Sequence, residues 1–253
     1  MEKTLVLTAT ITPPVNAHKL SRSDPVIRRQ DYYSAFSHYL QTLGECFDRL
    51  IFAENSGSEV AEFLELASKS SSSPEVLVWS YDANDFPNEW GRAYGEFKLL
   101  DLVFRQLNPG PNDEFWKATG RVFISNIEEI SLNSPKKFDL NCDCRYLPKI
   151  PVIWDGKRWM DMRLIGFGAE FYRNEVLGLQ DQFRHDLVGT PEPYFYERVM
   201  SWRTRYRVEC RFGRQPVLHG HAGYDNKDLA SFRQRAIMHL RRFSRRFTPF
   251  VWI

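Results

Sequence analysis

The chain has 253 residues, with 43% hydrophobic, 15% aromatic and 26% charged side chains, which is the composition of a folded globular protein and excludes a disordered one. Its 34 basic and 32 acidic side chains leave a formal charge of +2, too little for a chain-wide field that would attract nucleic acid. Four cysteines (46, 142, 144 and 210), none in a CxxC pair, argue against a disulfide scaffold or a local zinc site, and no apolar run approaches the ~20 residues needed to span a bilayer.

The N-terminus starts directly on a strand-like run, Thr4–Thr8, with no signal-peptide pattern. Together these features predict a soluble cytoplasmic protein of one main domain in a reducing compartment. Leu5–Ala9, Arg49–Ala53 and Val76–Trp79 are short apolar runs bounded by polar residues, the pattern of parallel strands buried on both faces. After Asp24-Pro25, a cap followed by a good first helical residue, Tyr32, Phe36, Tyr39, Leu40 and Leu43 recur at helical spacing up to Gly44. A shorter helix is predicted over Ser58–Ala67, and the serine run 70–73 leads into the third strand.

Gly95–Leu107 reads as a third helix, with Phe97, Leu100, Phe104 and Leu107 inward and Asn108-Pro109-Gly110-Pro111 ending it. A strand is expected at Arg121–Ser125, after the polar segment Lys117–Gly120. Beyond 137 the pattern weakens. Phe138–Cys144 and Pro151–Trp154 are strands or loops, Met162–Phe171 is another such segment, and helices cover Tyr194–Arg205 and Leu229–Phe247. Alternating strands and helices predict an α/β fold, an open and mostly parallel sheet whose ligand crevice lies at the carboxyl ends of its strands. The main domain would be 1–228, and 229–253 a basic amphipathic helix and tail.

Several polar constellations fall at that edge. Strand one ends in Thr8-Ala9-Thr10 and strand two in Glu54-Asn55-Ser56, which either face a nucleotide or simply cap their turns. Gly91–Lys98 lies where a loop becomes a helix, and free N–H groups there would suit a pyrophosphate. Neither GxGxxG nor GxxxxGK[ST] occurs, which argues against dinucleotide and P-loop sites. Lys117-Ala118-Thr119-Gly120-Arg121 sets two cations around a glycine that allows close approach to the backbone. Two Asp-x-Arg triplets follow, Asp143-Cys144-Arg145 and Asp161-Met162-Arg163, each fit either for phosphate chemistry or for a surface ion pair within the triplet itself. His219-Gly220-His221 offers two imidazoles, a weak metal pattern without a third ligand nearby. Residues 230–247 carry six arginines, no acid, and an apolar stripe of Phe232, Ala236, Leu240, Phe243 and Phe247. Such a helix fits an anionic membrane surface, docking on its own domain, or contact with nucleic acid.

Taken together, Thr8-Ala9-Thr10, Glu54-Asn55-Ser56, Tyr94-Gly95-Glu96, Thr119-Gly120-Arg121 with Asn126, and the Asp-x-Arg triplets resemble bacterial and viral glycosyltransferases. These are enzymes of surface-polysaccharide assembly, of the O-antigen or capsule type, with a GT-A-like fold and a Rossmann-like N-terminal half. The resemblance covers residues 4–225 and rests on short motifs. It implies transfer of a sugar from a nucleotide sugar to a hydroxyl of a glycan or lipid-linked acceptor, at the inner face of the membrane. Thr8, Ala9, Thr10, Glu54 and Asn55 would hold the nucleoside, and Tyr94, Gly95 and Lys98 would border the phosphates. Lys117, Gly120, Arg121, Asp143 and Arg145 would surround the diphosphate and donor sugar. Asp161 and Arg163 would stand beside the acceptor, with Asp161 the base if the reaction inverts, and Trp154, Trp159, Phe171 and Tyr172 could stack on sugars. The family commonly holds Mn²⁺ or Mg²⁺ with Asp-x-Asp. Asp-x-Arg stands here instead, so either Asp143 with His219 or His221 holds the metal, or the reaction needs none. The competing readings are a nucleotidyl or phosphoryl transferase at the same edge, and a non-catalytic module that binds through the arginine helix.

Overall fold

In the computed structural model, residues 1–15, 20–44, 46–70, 74–150, 154–221, 226, 228–229 and 231–247 are described. Strands β1 (Lys3–Ala9), β2 (Arg49–Glu54), β3 (Glu75–Ser80) and β4 (Glu114–Thr119) lie parallel in the order β3-β2-β1-β4. The period of two along each strand builds a core on both faces. Leu5, Leu7 and Ala9 pack with Tyr32, Phe36 and Tyr39 of α1 (Pro25–Thr42), while Val6 packs with Phe97, Leu100 and Phe104 of α3 (Gly91–Leu107). Phe63 of α2 (Ala61–Ser68) stacks on Phe52 of β2 with ring centroids 4.2 Å apart, burial that contributes about 1.5–3 kcal/mol for each such ring.

Helix ends follow local chemistry. The Asp24 carboxylate accepts a hydrogen bond from the Val26 amide at 2.8 Å, with Pro25 opening the helix, and Asn108 closes α3 in the left-handed region at φ 46°. The remaining strands run differently. β7 (Trp154–Gly168) is antiparallel to both β4 and β6 (Leu140–Ile150), and β8 (Val208–Glu209) adds parallel to β6, which completes a seven-stranded sheet. A two-stranded sheet pairs β5 (Phe123–Ile124) with β9 (Leu218–His219). Short helices α4 (Ile127–Leu132), α5 (Ala169–Phe171) and α6 (His185–Val188) connect these elements, followed by α7 (Pro191–Trp202) and α8 (Phe232–Phe247). The predicted open, mostly parallel α/β sheet is therefore present. No helix of the described residues is long and apolar enough to cross a membrane, and all four cysteines are free thiols.

Several boundaries need correction. The strand expected at Arg121–Ser125 is a two-residue piece of the small sheet, and the central strand is Glu114–Thr119, with Lys117 inside it. Lys117 hid that strand because its charge interrupts the apolar run. Helix α3 starts at Gly91 rather than Gly95, α2 at Ala61 rather than Ser58, α7 at Pro191 rather than Tyr194, and α8 at Phe232 rather than Leu229. Met162–Phe171 divides between the end of β7 and α5, and Pro151 lies outside the described residues. Within α8 the described side chains of the apolar stripe face outward. Leu240, Phe243 and Phe247 are 57%, 59% and 59% exposed, while Ser244 and part of Arg241 are turned inward.

Candidate active site

The order of strands reverses beside β1, because β2 and β3 extend to one side of it and β4 lies on the other. At such a switch point the loops after the strands separate and leave a crevice. A cavity of about 540 Å³ lies there. Its walls come from Thr8–Thr10 at the end of β1, Asn55 after β2, the start of α3, Thr119 and Arg121 around the end of β4, and Trp159–Arg163 of β7. His185 of α6 and Glu192 of α7 complete it.

The floor is tied by short polar contacts. Asn55 accepts from the Thr10 hydroxyl at 2.7 Å and donates to the Gly95 carbonyl at 3.3 Å, which joins the end of β1 to α3. A Cβ at Gly95 would stand 2.6 Å from the tip of the Phe86 ring, which would have to move to admit it. Gly120 is more tightly constrained, because its Cβ would stand 2.8 Å from the Thr8 backbone carbonyl. Glu96 accepts from the Thr8 hydroxyl at 2.6 Å and pairs with Lys117 at 2.8 Å. Lys117 is fully buried, and it also donates to Thr119 Oγ1 at 3.2 Å and to the Met162 carbonyl.

Positive charge collects on one side of the cavity. Arg28, 4% exposed, donates to the Thr10 carbonyl at 2.7 Å, the Arg22 carbonyl at 3.1 Å and the Tyr32 hydroxyl at 2.9 Å, and none of these acceptors is charged. Arg121 donates to the His221 carbonyl at 3.1 Å. Burial lowers its guanidinium pKa, and the charges of Arg28 and Arg92 push in the same direction, against Tyr32 and Glu96. Three arginines thus share one wall with a carboxylate that is already paired to Lys117.

Across the cavity the two Asp-x-Arg triplets face each other, because Asp143 pairs in register with Asp161 across β6 and β7. Arg145 bridges them, at 3.1 Å from Asp143 and 2.8 Å from Asp161, and Arg163 Nε donates to Asp161 at 2.8 Å. Burial alone would raise the Asp161 carboxyl, but Arg163 and Arg145 outweigh it and hold that carboxyl well below the usual carboxylate range. Arg241 of α8 lies near enough to feel all four charges. Its guanidinium is pushed down to about 10, by burial first and then by Arg145.

The predicted residues therefore divide. Thr8, Ala9, Thr10, Asn55, Gly95, Arg121, Asp161 and Arg163 line the cavity together, as does Trp159. Lys117, Asp143 and Arg145 do not line it: Lys117 is closed off under Glu96, and the other two sit behind Asp161. Glu54 is also walled off, and accepts from the amides of Ile11 and Ser56 at 2.9 Å and of Ser58 at 3.2 Å, which makes it the brace of the turn after β2. Tyr94 packs between Phe86 and Trp90, Lys98 pairs with Asp85, and Gly120 lies behind Thr8. Phe171 and Tyr172 belong to the core, where the Tyr172 hydroxyl donates to Asp101 at 2.8 Å, and the Trp154 side chain lies outside what is described.

A divalent cation would need carboxylates free to bind it. Asp143 and Asp161 are both held by arginine, and His219 stacks on Phe123 with centroids 4.5 Å apart and bonds Ser125 at 3.1 Å. Among the described residues no group of three or more His, Cys, Asp or Glu is placed to hold a metal, so Asp143, His219 and His221 do not form the expected ligand set. Sequence reasoning missed Arg28, Arg92, His185 and Glu192 as wall residues. Arg28 stands beside Arg29 in a helix and reads as a solvated charge; Arg92 did fall within the quoted Gly91–Lys98 segment.

No family model and no curated protein matches the chain. Among solved structures, the inositol-1-phosphate CTP transferase from T. maritima has a TM-score of 0.47 at 13% identity, over 94% of this chain and 95% of that one. The galactosyltransferase LgtC in complex with donor and acceptor sugar analogues has a TM-score of 0.48 at 8% identity, over 81% and 72%. A 4-diphosphocytidyl-2C-methyl-D-erythritol synthase has a TM-score of 0.44 at 10% identity, over 95% and 99%. Likeness at this level assigns neither an activity nor a substrate to this chain.

Proposed function

We propose that this chain is a GT-A-like glycosyltransferase that moves a sugar from a nucleotide sugar to a hydroxyl of a glycan or lipid-linked acceptor. One observation carries the reading: Arg28, Arg92 and Arg121 converge on a cavity at the strand carboxyl ends. Like charges held together in a partly dry site are costly, and a diphosphate arriving between them relieves that cost. Donor cleavage builds negative charge on the departing diphosphate, and arginines already in place stabilise it without reorganisation. The polar floor of Thr8, Thr10 and Asn55 suits hydroxyls of the nucleoside, and Trp159 offers an aromatic face to a sugar.

In this reading the arginines do the work usually assigned to a metal, since Asp143 and Asp161 are already neutralised. Turnover of UDP-glucose, UDP-galactose, UDP-N-acetylglucosamine and GDP-mannose, each with Mn²⁺ and with EDTA, tests both points. The expected result is release of nucleoside diphosphate from one donor, with EDTA changing the rate less than twofold. Release of pyrophosphate from CTP or UTP, with all four donors inert, would instead identify a nucleotidyl transferase at the same edge.

The outward stripe of Leu240, Phe243 and Phe247, on a segment with six arginines and no acid, supports peripheral contact with an anionic membrane surface. Arg241 of that helix lies within electrostatic reach of Asp161, which lines the cavity on the side where a lipid-linked acceptor would enter. Flotation with vesicles containing phosphatidylglycerol is expected to carry the protein, and Leu240→Glu with Phe243→Glu to leave it in the soluble fraction.

A further inference from the structure

Transfer with inversion needs a group that takes the proton of the attacking hydroxyl, and that group must reach the cavity with its lone pairs uncommitted. Among the described residues, three carboxylates line the cavity: Glu96, Asp161 and Glu192. Glu96 is spent on Thr8 and Lys117, at 2.6 and 2.8 Å. Asp161 is clamped by Arg145 and Arg163, so it would have to break two ion pairs to accept a proton. The aligned register of the two triplets sets Arg145 against Asp161, which argues against the base role expected for Asp161.

Glu192 differs from both. It sits in the first turn of α7, where Pro191 opens the helix, and it is half-buried with neither an ion pair nor a hydrogen bond to any described residue. Helix α7 packs on β7, whose Trp159 and Asp161 line the same cavity. His185 also reaches the cavity but already has a partner. The geometry points to Glu192 as the general base of an inverting transfer, an inference that rests on the glycosyltransferase reading above. In that step the acceptor oxygen bonds to the anomeric carbon, and the bond from that carbon to the diphosphate oxygen breaks. The electron pair leaves with the nucleoside diphosphate, and the hydroxyl proton passes to the Glu192 carboxylate.

Water can stand in for the acceptor, so the test is hydrolysis of whichever of the four donors the wild-type enzyme turns over. Glu192→Gln is expected to lower kcat by about 100-fold or more, the usual size of a lost general base. Binding of UDP or GDP should stay within twofold, Tm should stay within about 2 °C, and the first-formed free sugar of the wild type should have inverted configuration by NMR. A kcat within threefold of wild type or a product of retained configuration would overturn the assignment while leaving glycosyl transfer intact. Failure of the wild type to bind or turn over any of the four donors would remove the underlying reading, and this inference with it.

Discussion

Arg121→Ala is expected to weaken binding of a nucleoside diphosphate by about 10- to 100-fold. A hydrogen bond to a charged partner is worth about 1.5–3 kcal/mol, and each 1.4 kcal/mol is tenfold in affinity. Arg121 should lie at the upper end of that range because its guanidinium is largely withdrawn from water and its neighbours Arg28 and Arg92 repel it. The same repulsion predicts an effect of opposite sign on the free protein. Removing the charge relieves burial and like-charge contact, so the Tm of Arg121→Ala should equal or exceed that of the wild type, and lost binding cannot then be read as lost folding. Arg121→Lys keeps a charge but not the planar fork, and should fall between the two. Isothermal titration with UDP and GDP at two salt concentrations measures all of this. An affinity within twofold of wild type for Arg121→Ala would remove the anion site from this wall.

How far the site could be read from sequence depended on where each residue found its partner. The three N-terminal strands and α1 were legible because an apolar run and a cap are local signals. Thr8–Thr10 and Asn55 were legible because a strand that ends in polar residues marks the crevice side of a sheet, and Gly95 and Arg121 because a loop-to-helix junction and a glycine between two cations mark places where a ligand can approach the backbone. Lys117 was not. Lys117 reads as part of a polar segment before a strand, and only the return of α3 across the sheet brings Glu96 to neutralise it. Glu54 misled for the converse reason: a carboxylate at the end of a strand looks available, but the turn after β2 wraps its amides around it. Asp161 combined both problems. Self-pairing was one of two readings open for its triplet, yet the second triplet that doubles the clamp lies across a β-hairpin whose register the sequence does not encode locally. Helix α8 shows the limit of amphipathic patterning, which identifies an apolar stripe without saying whether the domain or something outside it covers that stripe.

The largest effect on stability should come from Glu96, and its asymmetry with Lys117 is the informative part. Lys117 is fully buried, while the Glu96 side chain keeps 23% of its surface open to the cavity. Breaking a buried pair costs about 3–5 kcal/mol when a charge is left stranded. Glu96→Gln strands Lys117, which retains neutral acceptors in Thr119 and the Met162 carbonyl, so a cost near the lower end, about 3 kcal/mol, is expected. For a chain of this size that lowers Tm by about 6–12 °C. Lys117→Met strands Glu96 instead, but Glu96 keeps the Thr8 hydroxyl and can reach water, so about 1–2 kcal/mol is expected. The double variant, with neither charge present, should recover to within about 1 kcal/mol of wild type, since a neutral pair of similar volume carries no uncompensated ion. Glu96→Gln should also tighten binding of a nucleoside diphosphate, because it removes a negative charge that acts on Arg121. Thermal melts of the three variants, with UDP binding measured alongside, decide the matter. If Lys117→Met costs more than Glu96→Gln, then Glu96 is the partner left stranded, and the closed lysine beneath the cavity floor is not what holds β1, β4 and α3 in register.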